Sequence, residues 1–107
     1  MHNLEEISFK IITFSGEAQS NMLQGLKSAK EGDYEKARSF VEEGKKLLHQ
    51  AHEVQTDLIA DEAQGNKTPY SILMVHAQDH LMNAMLAQHL ISEMIDMYEV
   101  MKREPIK

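Results

Sequence analysis

From residue 4 onward the apolar residues return every three or four positions. Leu4, Ile7, Ile11, Phe14, Ala18, Met22 and Leu26 share one face of a predicted helix. Asn3 stands before them as an N-cap, and Glu6 follows three residues later in capping-box position. Gly32 stops this helix, and Asp33 caps a second one with Lys36 rather than Glu at its third position. Ala37, Phe40, Val41, Leu47, Leu48, Ala51, Val54, Leu58 and Ile59 form the second apolar face, and Gln64-Gly65-Asn66-Lys67 ends it. Thr68-Pro69 opens a third helix, with Thr as N-cap and Pro at the first helical position. That helix runs to Arg103, before Pro105. The pattern thus predicts helices over about 3–31, 33–64 and 69–103 in one domain spanning 1–107. Each would be about 40–50 Å long at 1.5 Å per residue. Short connections predict an all-α, antiparallel up-down-up three-helix bundle.

The third helix breaks the one-sided pattern. Ile72, Leu73, Met74, Val75, Leu81, Met82, Met85, Leu86, Leu90, Ile91, Met94, Ile95, Met97, Val100 and Met101 cover more than one face. A helix that is apolar all round must be covered all round. A three-helix subunit covers only part of it, so the excess predicts self-association.

Composition narrows the function. Hydrophobic residues make up 42% of the 107, but aromatics only 6%, so the core must come from aliphatic and thioether side chains. Six of the 8 methionines fall in the last third, which suits helical packing. A formal charge of -6, with no basic stripe among aromatics, argues against nucleic acid as a partner. No apolar run approaches the ~20 residues a membrane span needs, so no direct membrane insertion is expected. Glu5 and Glu6 near the start do not fit a signal peptide, which points to the cytoplasm. With no cysteine, disulfides, thiolate metal sites and thiol nucleophiles are excluded.

Within the third helix, His76, Asp79, His80 and Asn83 are spaced i, i+3, i+4, i+7 and form one polar stripe. Polar groups inside an apolar helix need a partner or a ligand. Three readings compete. In the plainest, the histidines are structural: His80 bonds Asp79 or backbone, and Asn83 sets the register of a bundle seam. His89, His49 and His52 then belong to solvated faces, and His2 has no context. In the second, His76 and His80 share a metal ion as an i, i+4 pair. Neither Glu-x-x-His nor His-Glu-x-x-His occurs, which counts against a di-iron or zinc enzyme. In the third, a neutral imidazole acts as nucleophile for phosphoryl transfer, its second nitrogen held by Gln78, His80 or backbone. Arg38 and Arg103 are the two arginines and no Gly-rich phosphate loop exists. The phosphoryl group would therefore come from another protein.

The segment His76-Ala77-Gln78-Asp79-His80-Leu81-Met82 resembles the active-site signature of one family. This is the IIA component of the lactose/cellobiose (N,N'-diacetylchitobiose) branch of the bacterial phosphoenolpyruvate-dependent sugar phosphotransferase system. Ala51-His52-Glu53-Val54-Gln55-Thr56, Ala29-Lys30-Glu31-Gly32-Asp33 and, more loosely, Ser15-Gly16-Glu17-Ala18-Gln19-Ser20 extend the likeness over nearly the whole chain. The resemblance implies that His76 accepts a phosphoryl group from phospho-HPr, at Nε2, and passes it to a cysteine of the IIB component. IIB would then phosphorylate a β-linked disaccharide brought in by the membrane component IIC. Gln78 and His80 would support His76. The resemblance further implies a homotrimer of nine helices, with Asp79 from each subunit around an axial divalent cation, Mg2+ being the expected ion. Asn83 and His89 depart from the commonest family residues at their positions. The competing expectation is a non-catalytic helical oligomerisation or regulatory bundle.

Overall fold

The helix ends follow from a few side chains and two glycines. The computed structural model describes residues 3–103 as three helices, α1 (Leu4–Lys30), α2 (Tyr34–Ala63) and α3 (Ile72–Arg103), with no strand among the described residues. Asn3 Oδ1 accepts from Glu6 N at 3.1 Å and Asp33 Oδ1 from Lys36 N at 3.1 Å, so both expected N-caps form. Gly32 ends α1 at φ +89°, where Asp33 N donates to Ser28 O (2.9 Å) and Gly32 N to Ala29 O (3.0 Å). Gly65 repeats this at φ +101° after α2, with Asn66 N on Asp61 O (3.2 Å) and Gly65 N on Glu62 O (3.0 Å). Both are left-handed stops that recover otherwise orphaned carbonyls.

The third helix starts later than Thr68-Pro69 predicts. Residues 66–71 are not helical, and Ser71 caps α3 by accepting from Met74 N on Oγ at 3.3 Å, while Ser71 O takes Val75 N at 3.1 Å. A hydroxyl three residues before a free N–H is the better cap, and Pro69 is left in the connection. His2 and Pro105 lie outside the described residues.

The molecule is a rod of 61 × 20 × 20 Å. α1 makes the larger seams, one with each of the other helices, and α2 and α3 meet less extensively. Late α1 lies beside early α2: a Cβ on Gly25 would stand 2.9 Å from Ala37 O, and one on Gly44 would meet the Met22 side chain at 2.8 Å. Ser8, near the start of α1, approaches Met74 Sδ at 3.9 Å near the start of α3. Tyr34 OH donates to Tyr98 O at 3.2 Å, and Arg38 bonds Glu99, tying the start of α2 to the end of α3.

The apolar pattern located the inner faces but missed how small they are. Ser8, Ser15, Gly25 and Ser28 of α1 and Gly44 of α2 are buried beside Ile11, Met22, Val41 and Leu48. Small residues bring the helix axes close, which leaves less room for large ones. Ile59, expected on the inner face of α2, is exposed instead. On α3, Met74, Ala77, Leu81, Ala84, Ile91 and Ile95 turn inward. Ile72, Val75, Met82, Leu86, Leu90, Met97 and Met101 form an exposed outer stripe. An apolar strip along a whole helix is too long for a solvated face and marks an interaction surface.

Candidate functional site

The first three turns of α3 carry the polar residues that the sequence singles out. At 3.6 residues per turn, His76 and His80 fall on one edge of the exposed stripe, while Asp79 and Asn83 lie within it. Within one subunit His76, Asp79 and Asn83 are exposed and His80 is half-buried. Placement on the outer rather than the inner face of α3 is the reason.

The two imidazoles act on each other. His76 Nε2 and His80 Nε2 are 3.0 Å apart, with ring centroids at 4.5 Å and planes at 88°. Of the two partners the structural reading offered His80, Asp79 or backbone, the ring takes neither and meets His76 instead. One nitrogen of the pair must carry the proton and the other the lone pair. If His80 donates, His76 keeps its proton on Nδ1 and presents a lone pair at Nε2, the form an imidazole needs to act as nucleophile.

Gln78 is placed elsewhere. It lies roughly 200° around the helix from His76, bonds Gln55 of α2, and reaches Met74 Sδ from Nε2 at 3.6 Å. The expected contact between Gln78 and the His76 ring is therefore not made within the subunit; Gln78 joins α3 to α2 instead. Gln55, inside the α2 segment that carries part of the family likeness, is its partner.

Three further histidines gather apart from this pair. His49, His52 and His89 line a shallow hollow of about 260 Å³ between α2 and α3, with Lys45, Leu48, Met85 and Gln88. His49 Nε2 meets Glu53 Oε1 at 2.7 Å on the helix surface. Among the described residues no group of three His, Asp or Glu stands close enough to hold a metal ion. A cation bound through Asp79 would thus need donors from more than one copy of the chain. No helix among the described residues is long and apolar enough to cross a membrane.

Known proteins share both sequence and shape with this chain. The family described as PTS system, Lactose/Cellobiose specific IIA subunit, matches residues 6–99. The lichenan-specific phosphotransferase enzyme IIA component of Bacillus subtilis is 45% identical over 96 residues, covering 90% of this chain and 87% of that protein. The crystal structure of the cellobiose-specific enzyme IIA of Bacillus anthracis superimposes with a TM-score of 0.93 at 40% identity, over 98% of this chain and 96% of that one. A chain from the solution structures of the IIA(chitobiose)–HPr complex of Escherichia coli aligns with a TM-score of 0.82 at 41% identity, over 95% and 99% of the two chains.

Proposed function

The chain belongs to the lactose/cellobiose-specific IIA family of the phosphotransferase system, and we propose that it carries a phosphoryl group on His76. The carrying observation is the exposed His76 ring with its Nε2 only 3.0 Å from His80 Nε2. In this reading phospho-HPr docks over the ring, as the HPr complex of the chitobiose relative suggests. The His76 Nε2 lone pair attacks phosphorus, the donor's own bond to phosphorus breaks, and the donor group leaves with that electron pair. His76 retains its proton on Nδ1. The His80 N–H, released from the nitrogen it held, turns to a phosphoryl oxygen and stabilises the spreading negative charge. The reverse sequence delivers phosphorus to a cysteine thiolate of IIB, which serves uptake of a β-linked disaccharide through IIC. The relay would run in the cytoplasm, where its protein donors and acceptors meet.

The subunit is read as an up-down-up antiparallel bundle, supported by the pairing of Tyr34 with Tyr98 and of Gly25 with Ala37. Three copies would bury their α3 stripes against one another as a nine-helix homotrimer. Asp79 would then bring three carboxylates together, which repel strongly away from water. The donors fit a hard divalent cation such as Mg2+: each chain offers an exposed carboxylate in an apolar surround, with no hydrogen bond or ion pair among the described residues. When bound, such an ion neutralises the carboxylates and ties the subunits together.

Incubation with phosphoenolpyruvate, enzyme I and HPr tests the carrier reading. The chain should gain one acid-labile phosphoryl group by mass spectrometry, and His76→Ala should gain none while keeping its helical circular dichroism. No gain in the unaltered chain would overturn the proposal in favour of a purely structural helical oligomer.

A further inference from the structure

We propose that Asn83 supplies, beside Asp79, a second oxygen ligand from each chain to a hard divalent cation held where three copies of α3 meet. This rests on the trimeric reading above and adds a residue to it. Asp79 and Asn83 are four apart on α3, so their side chains lie one above the other on the same face. Both are exposed in the subunit, and neither makes a hydrogen bond or ion pair among the described residues. Their neighbours in the stripe are apolar: Val75, Met82 and Leu86 are each more than half exposed.

Covering that stripe with other copies would strip water from the Asn83 carboxamide. A dry amide without partners is costly, so a partner must be found in the assembled state. Three Asp79 carboxylates that each bind through one oxygen fill only about half of the roughly six positions around Mg2+. Two donors from each of three chains match the roughly six oxygens that Mg2+ takes. An amide suits the second position better than another carboxylate, because it adds an oxygen without adding charge. Three carboxylates already exceed the charge of one divalent ion, and further like charge would work against binding. The Asn83 amide nitrogen remains free to donate to a carboxylate of a neighbouring copy. A second carboxylate at this position would be repelled by the first; an apolar residue would leave water to complete the ion's shell.

Electron paramagnetic resonance of the full chain loaded with Mn2+ in place of Mg2+ tests the inference. The expected result is one Mn2+ per three chains, with lines that do not broaden in 17O-enriched water because no water is bound directly to the ion. Asn83→Ala should keep its helical content and its light-scattering mass, bind Mn2+ at least tenfold more weakly, and show clear 17O broadening. Equal broadening in the two proteins would overturn Asn83 as a ligand and leave the Asp79 cation standing. Absence of bound Mn2+ in the unaltered chain would overturn the cation reading and this inference together. If Asn83→Ala fails to assemble, electron-nuclear double resonance of Mn2+ in the unaltered chain carrying 13C-labelled asparagine decides: a coupling to the carboxamide carbon supports the proposal and its absence overturns it.

Discussion

Leu81 and Leu86 are five residues apart on α3, yet the first is 0% exposed and the second 58%. Leu81 faces α1 and α2 with Ala77, Ala84 and Ile91; Leu86 faces outward with Val75, Met82 and Leu90. The inner face is built from alternating large and small residues that let helices approach. The outer face is built from large side chains that stay about half exposed in the subunit. Folding of one chain accounts for the first pattern and leaves the second unexplained. In the assembly proposed above, the outer face is the surface that meets other copies, and its carboxylate and carboxamide are the oxygen donors offered to the proposed cation.

Truncation of each leucine separates the two faces most strongly. Leu81→Ala should cost about 2–5 kcal/mol in urea unfolding, the range for removing a fully buried leucine. Leu86→Asp should leave the helical content of the chain intact and reduce its light-scattering mass at micromolar concentration to that of one subunit. A large loss of helix in Leu86→Asp, or an unchanged mass, would contradict the division of labour between the faces.

The α1–α2 seam gives a smaller effect with a sign that depends on what must move. Alanine in place of glycine gains about 1 kcal/mol of helix propensity. At Gly25 the new methyl meets the Ala37 carbonyl oxygen at 2.9 Å, Phe40 Cβ at 3.2 Å and Val41 Cγ2 at 3.3 Å, so backbone must shift. Gly25→Ala should lower stability by about 1–3 kcal/mol despite the propensity gain, as overpacking does. At Gly44 the shortest contacts are with Met22 Cε at 2.8 Å and Met22 Cγ at 2.9 Å, flexible side-chain atoms, and the nearest backbone atom, Ala18 O, stands farther off at 3.1 Å. Gly44→Ala should therefore cost less than Gly25→Ala in the same denaturant titration. Equal losses would show that Met22 is held as firmly as backbone.

Much of this arrangement was legible in the sequence, and the exceptions share a cause. Asn3, Asp33 and the two positive-φ glycines act within a few residues of themselves, so their roles can be read locally. The buried serines of α1 fall outside the apolar pattern, because only a neighbouring helix at close range gives a small polar side chain a place inside. Thr68-Pro69 satisfies every local rule for a helix start, yet Ser71 three residues later holds the cap. The site divides in the same way. Spacing placed His76 beside His80 on one turn, but it put Asp79 and Asn83 in the same stripe without saying that the stripe faces outward. Gln78 was assigned to the phosphoryl site by resemblance, whereas its half-buried amide is turned to Gln55 on a helix that periodicity cannot position.

The outer face of α1 sets the smallest test of the contrast. Gly16 is exposed, mid-helix, and a methyl added there would find nothing within 4 Å in the subunit. A glycine in such a place costs about 1 kcal/mol relative to alanine through backbone entropy. If the outer face of α1 is solvent in the assembled protein, Gly16→Ala should raise the unfolding free energy by about that amount and leave phosphoryl acceptance untouched. If another copy or a docked phosphohistidine rests on Gly16, the same methyl would hold the incoming group away, and the gain would vanish while acceptance from phospho-HPr slowed. Thermal unfolding at low and high protein concentration, paired with the phosphorylation rate, tells the outcomes apart. The open space around Gly16 favours the stabilising outcome, which would confine the interaction surface to α3 and its His76 edge.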